Sequence, residues 1–153
     1  MSMRLSRTAL AVVATVFAIT MSVAAADPSP VGTWVKKGDD KMKMTMTIAK
    51  WGNGKAQITW NIKSANLVLS VVSALDGKDA PVLINGKASG ETMAITRVDK
   101  LHATTVVKMN GKQFGTSKGT YSADFKTLTV ENDFSESGGG NAPGKSTEIW
   151  IRK

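Results

Sequence analysis

The sequence predicts an all-β fold, an antiparallel up-and-down closed barrel of eight to ten strands. Three observations support this fold: short stretches alternate apolar and polar residues, tight Asn-Gly or Asp-Gly turns separate them, and no amphipathic helix interrupts them. Short consecutive strands joined by tight turns form a meander, and closing that meander removes both exposed sheet edges. An open β-sandwich is the alternative fold that is compatible with the same pattern.

The first 26 residues have the pattern of a secretory signal peptide. Arg4 and Arg7 form a positive start, residues 9–23 are almost wholly apolar, and the small residues at 23–26 suit a signal peptidase. The pattern predicts cleavage after residue 26 and a periplasmic or secreted product with no membrane span. A retained membrane anchor is the alternative, but the apolar run is short for a span of about 20 residues.

One domain follows the predicted signal. Residues 27–30 form a stiff leader. Residues 31–153 form a single barrel domain, which is large enough to bury a core without disulfides or a bound metal. The absence of cysteine excludes disulfides, thiol chemistry and cysteine-bound metals. The 20 Lys and Arg outnumber the 12 Asp and Glu but are dispersed. This indicates a solvated surface, or else weak attraction to an anionic envelope component, and export argues against a nucleic-acid partner.

The best-defined local pattern is an early hairpin. Residues 31–37 form a first strand and residues 38–40 a turn, and residues 41–48 then alternate strictly. An Asn-Gly turn at 51–55 leads to a partner strand at 56–63. The residues expected to face inward are Met42, Met44, Met46 and Ile48 on the first of these two strands, and Ile58, Trp60 and Ile62 on the second.

The remaining chain continues as strands and turns. The apolar run at 67–75 fits either a strand or a short helix, and its valines favour the strand. The other predicted strands are 81–84, 92–98, 102–109, 113–122, 128–132 and 147–152. Turns are predicted at 76–79, 85–87, 99–100 and 110–112, and a long flexible loop at 135–145.

Several segments resemble a known group of proteins. Gly32-Thr33-Trp34 on the first strand, with an arginine on the last, is similar to calycins: lipocalins, fatty-acid-binding proteins and avidins. The segments DGKDAPV at 76–82, TRVD at 96–99, KMNGK at 108–112 and KTLTV at 126–130 resemble small exported bacterial lipocalin-like proteins of unassigned function. The resemblance implies a calycin-like barrel whose closed end is formed by Gly32 and Trp34, with Arg152 laid over the indole. Phe125 stands where that pattern expects glycine, so a different turn is expected there.

The sequence offers little catalytic chemistry. His102 is the only histidine, and no serine or carboxylate partner can be assigned to it from the sequence. One histidine without cysteines is too few ligands for a zinc site. We therefore expect a non-enzymatic protein with no metal and no cofactor.

The remaining candidate is the barrel interior. Its predicted lining is Met42, Met44, Met46, Ile58, Trp60, Ile62 and Met93. A ligand cavity and a plain core both fit these residues, because small barrels are either filled by side chains or hold one small ligand. Two hypotheses follow, both for a monomer: a carrier of a small hydrophobic molecule, or an envelope interaction module with a solid core and a basic surface.

Overall fold

The computed structural model describes residues 27–137 and 142–153, which form ten strands and one short 3₁₀ turn at Lys63–Ala65. The strands are β1 Gly32–Lys36, β2 Met44–Gly52, β3 Lys55–Ile62, β4 Leu67–Ser73, β5 Asp76–Ile84, β6 Lys87–Arg97, β7 His102–Met109, β8 Lys112–Tyr121, β9 Thr127–Phe134 and β10 Gly144–Arg152. The predicted signal peptide and the Gly138-Gly139-Gly140 segment lie outside the described residues. In the part of the chain that is described, no helix has the length and apolar character to cross a membrane.

The ten strands form one closed barrel. Each strand pairs antiparallel with the next along the chain, and β1 pairs with β10 to complete the ring. Trp34 stands opposite Met46 on one side and Arg152 on the other. The predicted all-β up-and-down closed barrel is therefore confirmed, at the upper end of the expected strand number.

Three of the hairpin turns follow directly from Asn-Gly pairs. At each pair both residues have positive φ, between 48° and 82°, which is the conformation of a type I′ turn. The pairs are Asn53-Gly54, Asn85-Gly86 and Asn110-Gly111.

The turn predicted at 76–79 is wrong. Asp76 already belongs to β5, and the chain reverses just before it, where Leu75 has φ 61°. Gly77 falls in a bulge, because the pairing with β6 shifts register between Asp76 and Asp79. The ambiguous apolar run before this turn forms strand β4, as its valines favoured.

The barrel has two different ends. We call the end where β1 begins and β10 finishes the tryptophan end; it also carries the β2–β3, β4–β5, β6–β7 and β8–β9 turns. We call the opposite end, with the other connections, the loop end. At the tryptophan end Trp34 is 0% exposed, its ring centroid lies 5.7 Å from that of Tyr121, and its Nε1 donates to the Pro30 carbonyl at 2.9 Å. The leader thus closes this end of the barrel through the indole.

Phe125 completes the closure. Its ring is 1% exposed and packs on Tyr121, with centroids 5.4 Å apart. Its φ of 52° is left-handed, a conformation that non-glycine residues seldom adopt. Burial of the ring offsets the backbone cost of this conformation, about 1–2 kcal/mol.

Candidate functional site

The barrel interior is hollow. A cavity of about 150 Å³ lies inside it, with walls from β2–β4 and β6–β10. Several side chains in the cavity wall are only partly buried, among them Trp60, Met93 and Val130. Side chains of a solid core would be fully covered, so the interior is incompletely packed.

One side of the cavity is apolar. We call it the apolar wall; it consists of Met44, Met46, Ile58, Trp60 and Leu69, on the neighbouring strands β2, β3 and β4. The alternation of β2 and β3 brings these residues to one face. Methionines and an indole form a surface that adapts to different apolar shapes. This wall suits the body of a small hydrophobic molecule.

The side that faces the apolar wall across the barrel carries hydrogen-bonding groups. We call the residues Thr105, Ser117 and Asn132 the polar rung, because they stand directly opposite one another on β7, β8 and β9. Ser117 Oγ donates to Asn132 Oδ1 at 2.6 Å, and the Asn132 amide nitrogen lies 3.5 Å from Ser146 Oγ on β10. Asn132 is 5% exposed and its polar atoms are thus partnered within the wall.

A second polar group beside the rung is also paired. Glu148 accepts a hydrogen bond from Lys36 Nζ at 2.7 Å through one oxygen, and from Trp150 Nε1 at 3.1 Å through the other. Lys36 and Trp150 are neighbours across the β1–β10 pairing, which places the lysine on the inner face. The Glu148 carboxylate thus has a counter-charge from Lys36 and a hydrogen bond at each oxygen, and it needs no further partner.

Glu91 is the exception. It lies on β6, lines the cavity and is 3% exposed, and among the described residues its Oε1 has no hydrogen-bond partner. Burial raises the pKa of its carboxyl above the ordinary 4.5. Trp51 Nε1, an indole donor in the same cavity wall, is likewise without a partner there. Buried polar groups are normally satisfied, so an unpaired carboxylate oxygen in a cavity wall requires an explanation.

The predicted lining residues fall into two groups. Met44, Met46, Ile58, Trp60 and Met93 lie in the cavity wall. Met42 and Ile62 do not line the cavity: Met42 precedes β2 and packs half-buried against the core, and Ile62 is buried at the loop end of β3. Met42 thus lies before the strand that contributes to the wall, and Ile62, although it pairs with Met44 of the wall, packs in the buried core instead.

The polar residues of the wall were missed in the sequence. Glu91 has the same strand parity as Met93, but the predicted strand began at residue 92 and so left it out. Asn132 alternates with Leu128 and Val130, a signal that could have placed it inside. Trp51 was assigned to a turn, whereas a bulge between Ile48 and Lys50 turns it inward. A bulge leaves no clear mark in the sequence, so only the first two could have been found.

The residues expected to close the barrel lie at the tryptophan end. Arg152 donates to the carbonyls of Ser29 at 3.0 Å and Val31 at 2.6 Å. Gly32 has φ 147°, and a Cβ there would come within 2.9 Å of Arg152 Nε. The guanidinium thus ties the leader to the last strand, across a position where only glycine leaves room.

His102 lies on the outside, away from the cavity. It is exposed and bonds Asp99 at 2.8 Å, and hydrogen bonds from the Leu101 backbone and from His102 hold the pKa of Asp99 below its usual value. In the described ranges no three His, Cys, Asp or Glu side chains cluster closely enough to hold a metal ion. The cavity wall contains no histidine.

Comparison with known proteins finds no similarity. No family model matches the chain, and neither the curated proteins nor the solved structures contain a significant match. The resemblance to calycins thus stays a prediction. What the protein does has to be argued from the geometry of its interior.

Proposed function

We propose that this protein is an exported, non-enzymatic binding protein that holds one small, mostly apolar molecule inside a lipocalin-like barrel. The observation that carries the proposal is the cavity, with its apolar wall and its facing polar rung. Binding sites for small molecules are typically concave and mostly apolar, with a few polar groups that orient the ligand. The N-terminal signal pattern supports a periplasmic or secreted location.

The cavity volume limits the ligand. At about 150 Å³ it is smaller than the usual 300–1,000 Å³ of ligand pockets. An apolar cavity of about this size accommodates benzene in another protein. The ligand is therefore a single ring or a short branched chain, and a long fatty acid would require a wider barrel. For so few atoms we expect dissociation constants from about micromolar to millimolar.

The cavity also favours this function over the interaction module. That alternative requires a solid core, with binding through loops and basic surface alone. The interior instead leaves Trp60, Met93 and Val130 with accessible surface inside the barrel. Unfilled volume in a core lowers stability, so a protein that binds only through its outer surface gains nothing from an internal cavity.

The experiment is a titration of the protein with toluene, followed through the indole N–H signals in NMR spectra. Three of the four tryptophans, Trp51, Trp60 and Trp150, line the cavity, and Trp34 does not. We expect saturable shifts of the first three signals and little change of the fourth. Uniform or unsaturable shifts would show that toluene does not enter the cavity.

A variant that fills the cavity provides the matched control. Ala103 lies in its wall, so Ala103→Leu adds apolar volume where space exists and should abolish toluene binding without unfolding the barrel. Ala88→Leu makes the same change at an exposed position of β6 and should leave binding intact. If toluene binds equally to both variants, the interior is not its site.

A further inference from the structure

We propose that the ligand carries a protonated amine, which binds the carboxylate of Glu91. This inference rests on the proposed function and names the chemical class of the molecule: a small primary amine with one aromatic or branched aliphatic group. The amine lies beside Glu91 on β6, and the apolar group of the ligand extends towards the apolar wall.

The first argument is the contrast among the interior polar groups. The Asn132 amide is bonded to Ser117 and Ser146, and both oxygens of Glu148 have partners. Glu91 is as deeply buried as Asn132, yet its Oε1 lacks a partner among the described residues. The other unpaired group of the wall, Trp51 Nε1, is a donor, so it is the unpaired acceptor of Glu91 that marks where a ligand supplies a missing donor.

The second argument is the placement of the positive charges. Lys36, a cation on the inner face, is on β1, which is five strands from β6 in either direction around the ring, and it is bonded to Glu148. On β7, next to Glu91, Lys108 pairs in register with Thr92 and bonds Asp79 at 2.9 Å. Since Thr92 and Glu91 are consecutive in a strand, they face opposite sides of the sheet. Lys108 therefore lies on the outer face of the barrel, where it pairs with Asp79, and it does not neutralise Glu91.

The third argument is energetic. An ionised carboxylate enclosed without a counter-charge is strongly disfavoured, and burial alone shifts the pKa of Glu91 upward. A protonated amine brings both a counter-charge and hydrogen-bond donors, whereas a neutral hydroxyl brings one donor and a carboxylate ligand adds repulsion. Charge-assisted hydrogen bonds are about twice as strong as neutral ones. The site thus ranks ligands of one size as amine, alcohol, hydrocarbon and acid.

The test uses four probes with one phenyl ring each: benzylamine, benzyl alcohol and toluene, which differ only in the group on the methylene carbon, and benzoate, whose carboxylate is attached to the ring. Affinities are measured by calorimetry or NMR titration with the full mature chain at neutral pH. Benzylamine should bind about tenfold or more tightly than toluene, and benzoate most weakly. Equal affinities for benzylamine and toluene would overturn the inference.

Variants assign the preference to one residue. Glu91→Gln keeps the side-chain shape and removes the charge, and it should reduce the ratio of benzylamine to toluene affinity to near one. Glu91→Leu should reduce this ratio further and provides the same measurement should the glutamine variant fold poorly. Glu131→Gln, an exposed change of equal charge on β9, should leave the ratio unchanged. A ratio that survives both Glu91 substitutions would place the amine elsewhere.

The two proposals fail in different ways. If toluene binds the cavity but benzylamine has no advantage, the ligand-binding function stands and the amine inference is wrong. If none of the four probes produces saturable shifts at the cavity tryptophans, both proposals fail.

Discussion

The substitution Trp34→Ala tests whether the indole at the tryptophan end closes the barrel. The ring is 0% exposed, and large-to-small substitution of a buried aromatic residue costs about 3–5 kcal/mol. The change also removes the donor to the buried Pro30 carbonyl, which adds about 1–3 kcal/mol. We expect a loss of about 4–8 kcal/mol in the free energy of unfolding, measured by chemical denaturation with circular dichroism, against a typical total of about 5–15 kcal/mol.

Trp60→Ala is the matched comparison. This deletes the same side chain at an inward position that is only half-buried and faces the cavity. Because much of the indole already lacks neighbours, we expect a loss of only about 2 kcal/mol. Toluene binding should weaken in Trp60→Ala and persist in folded Trp34→Ala. If Trp34→Ala were the less destabilising of the two, or alone lost binding, the assignment of the plug and the cavity would be wrong.

Two further predictions concern the backbone and the pH dependence of stability. Gly32→Ala forces a side chain onto φ 147° and against Arg152, so we expect a loss of about 1–3 kcal/mol on chemical denaturation; an unchanged denaturation midpoint would contradict this. The pKa of Glu91 is raised in the folded state, so its stabilising contribution is complete below pH 4.5 and is lost as pH rises through the folded-state pKa. Glu91→Gln, which does not titrate, should therefore gain stability relative to the parent protein as pH rises, and a constant difference from about pH 4 to pH 8 would refute the argument.

The strand pattern was readable from the sequence because it depends on neighbouring residues. The alternation over the β2–β3 hairpin placed Met44, Met46, Ile58 and Trp60 on one face, where the structure has them. The Asn-Gly pairs marked three turns because few other residues adopt positive φ readily. The β7 prediction matches the observed His102–Met109 in both bounds.

Bulges, and turns whose residue at positive φ is neither glycine nor asparagine, could not be predicted from these patterns. The bulge before Trp51 reverses the parity of the strand and brings an expected turn residue into the cavity wall. Leu75 adopts φ 61° beside an Asp-Gly pair that the pattern favoured for the turn. These features depend on register against a partner strand, which the local sequence does not specify.

The amino-acid sequence by itself determined the class of this protein: a cysteine-free all-β chain whose alternating strands and tight turns lead to a closed barrel. Only the tertiary structure decided whether the interior was filled. The reason is geometric, since the volume inside a barrel depends on strand number and register, while alternation reports only which residues face inward. The same applies to Glu91, whose burial, and whose lack of a hydrogen-bond partner among the residues that the structure describes, depend on the assembled barrel.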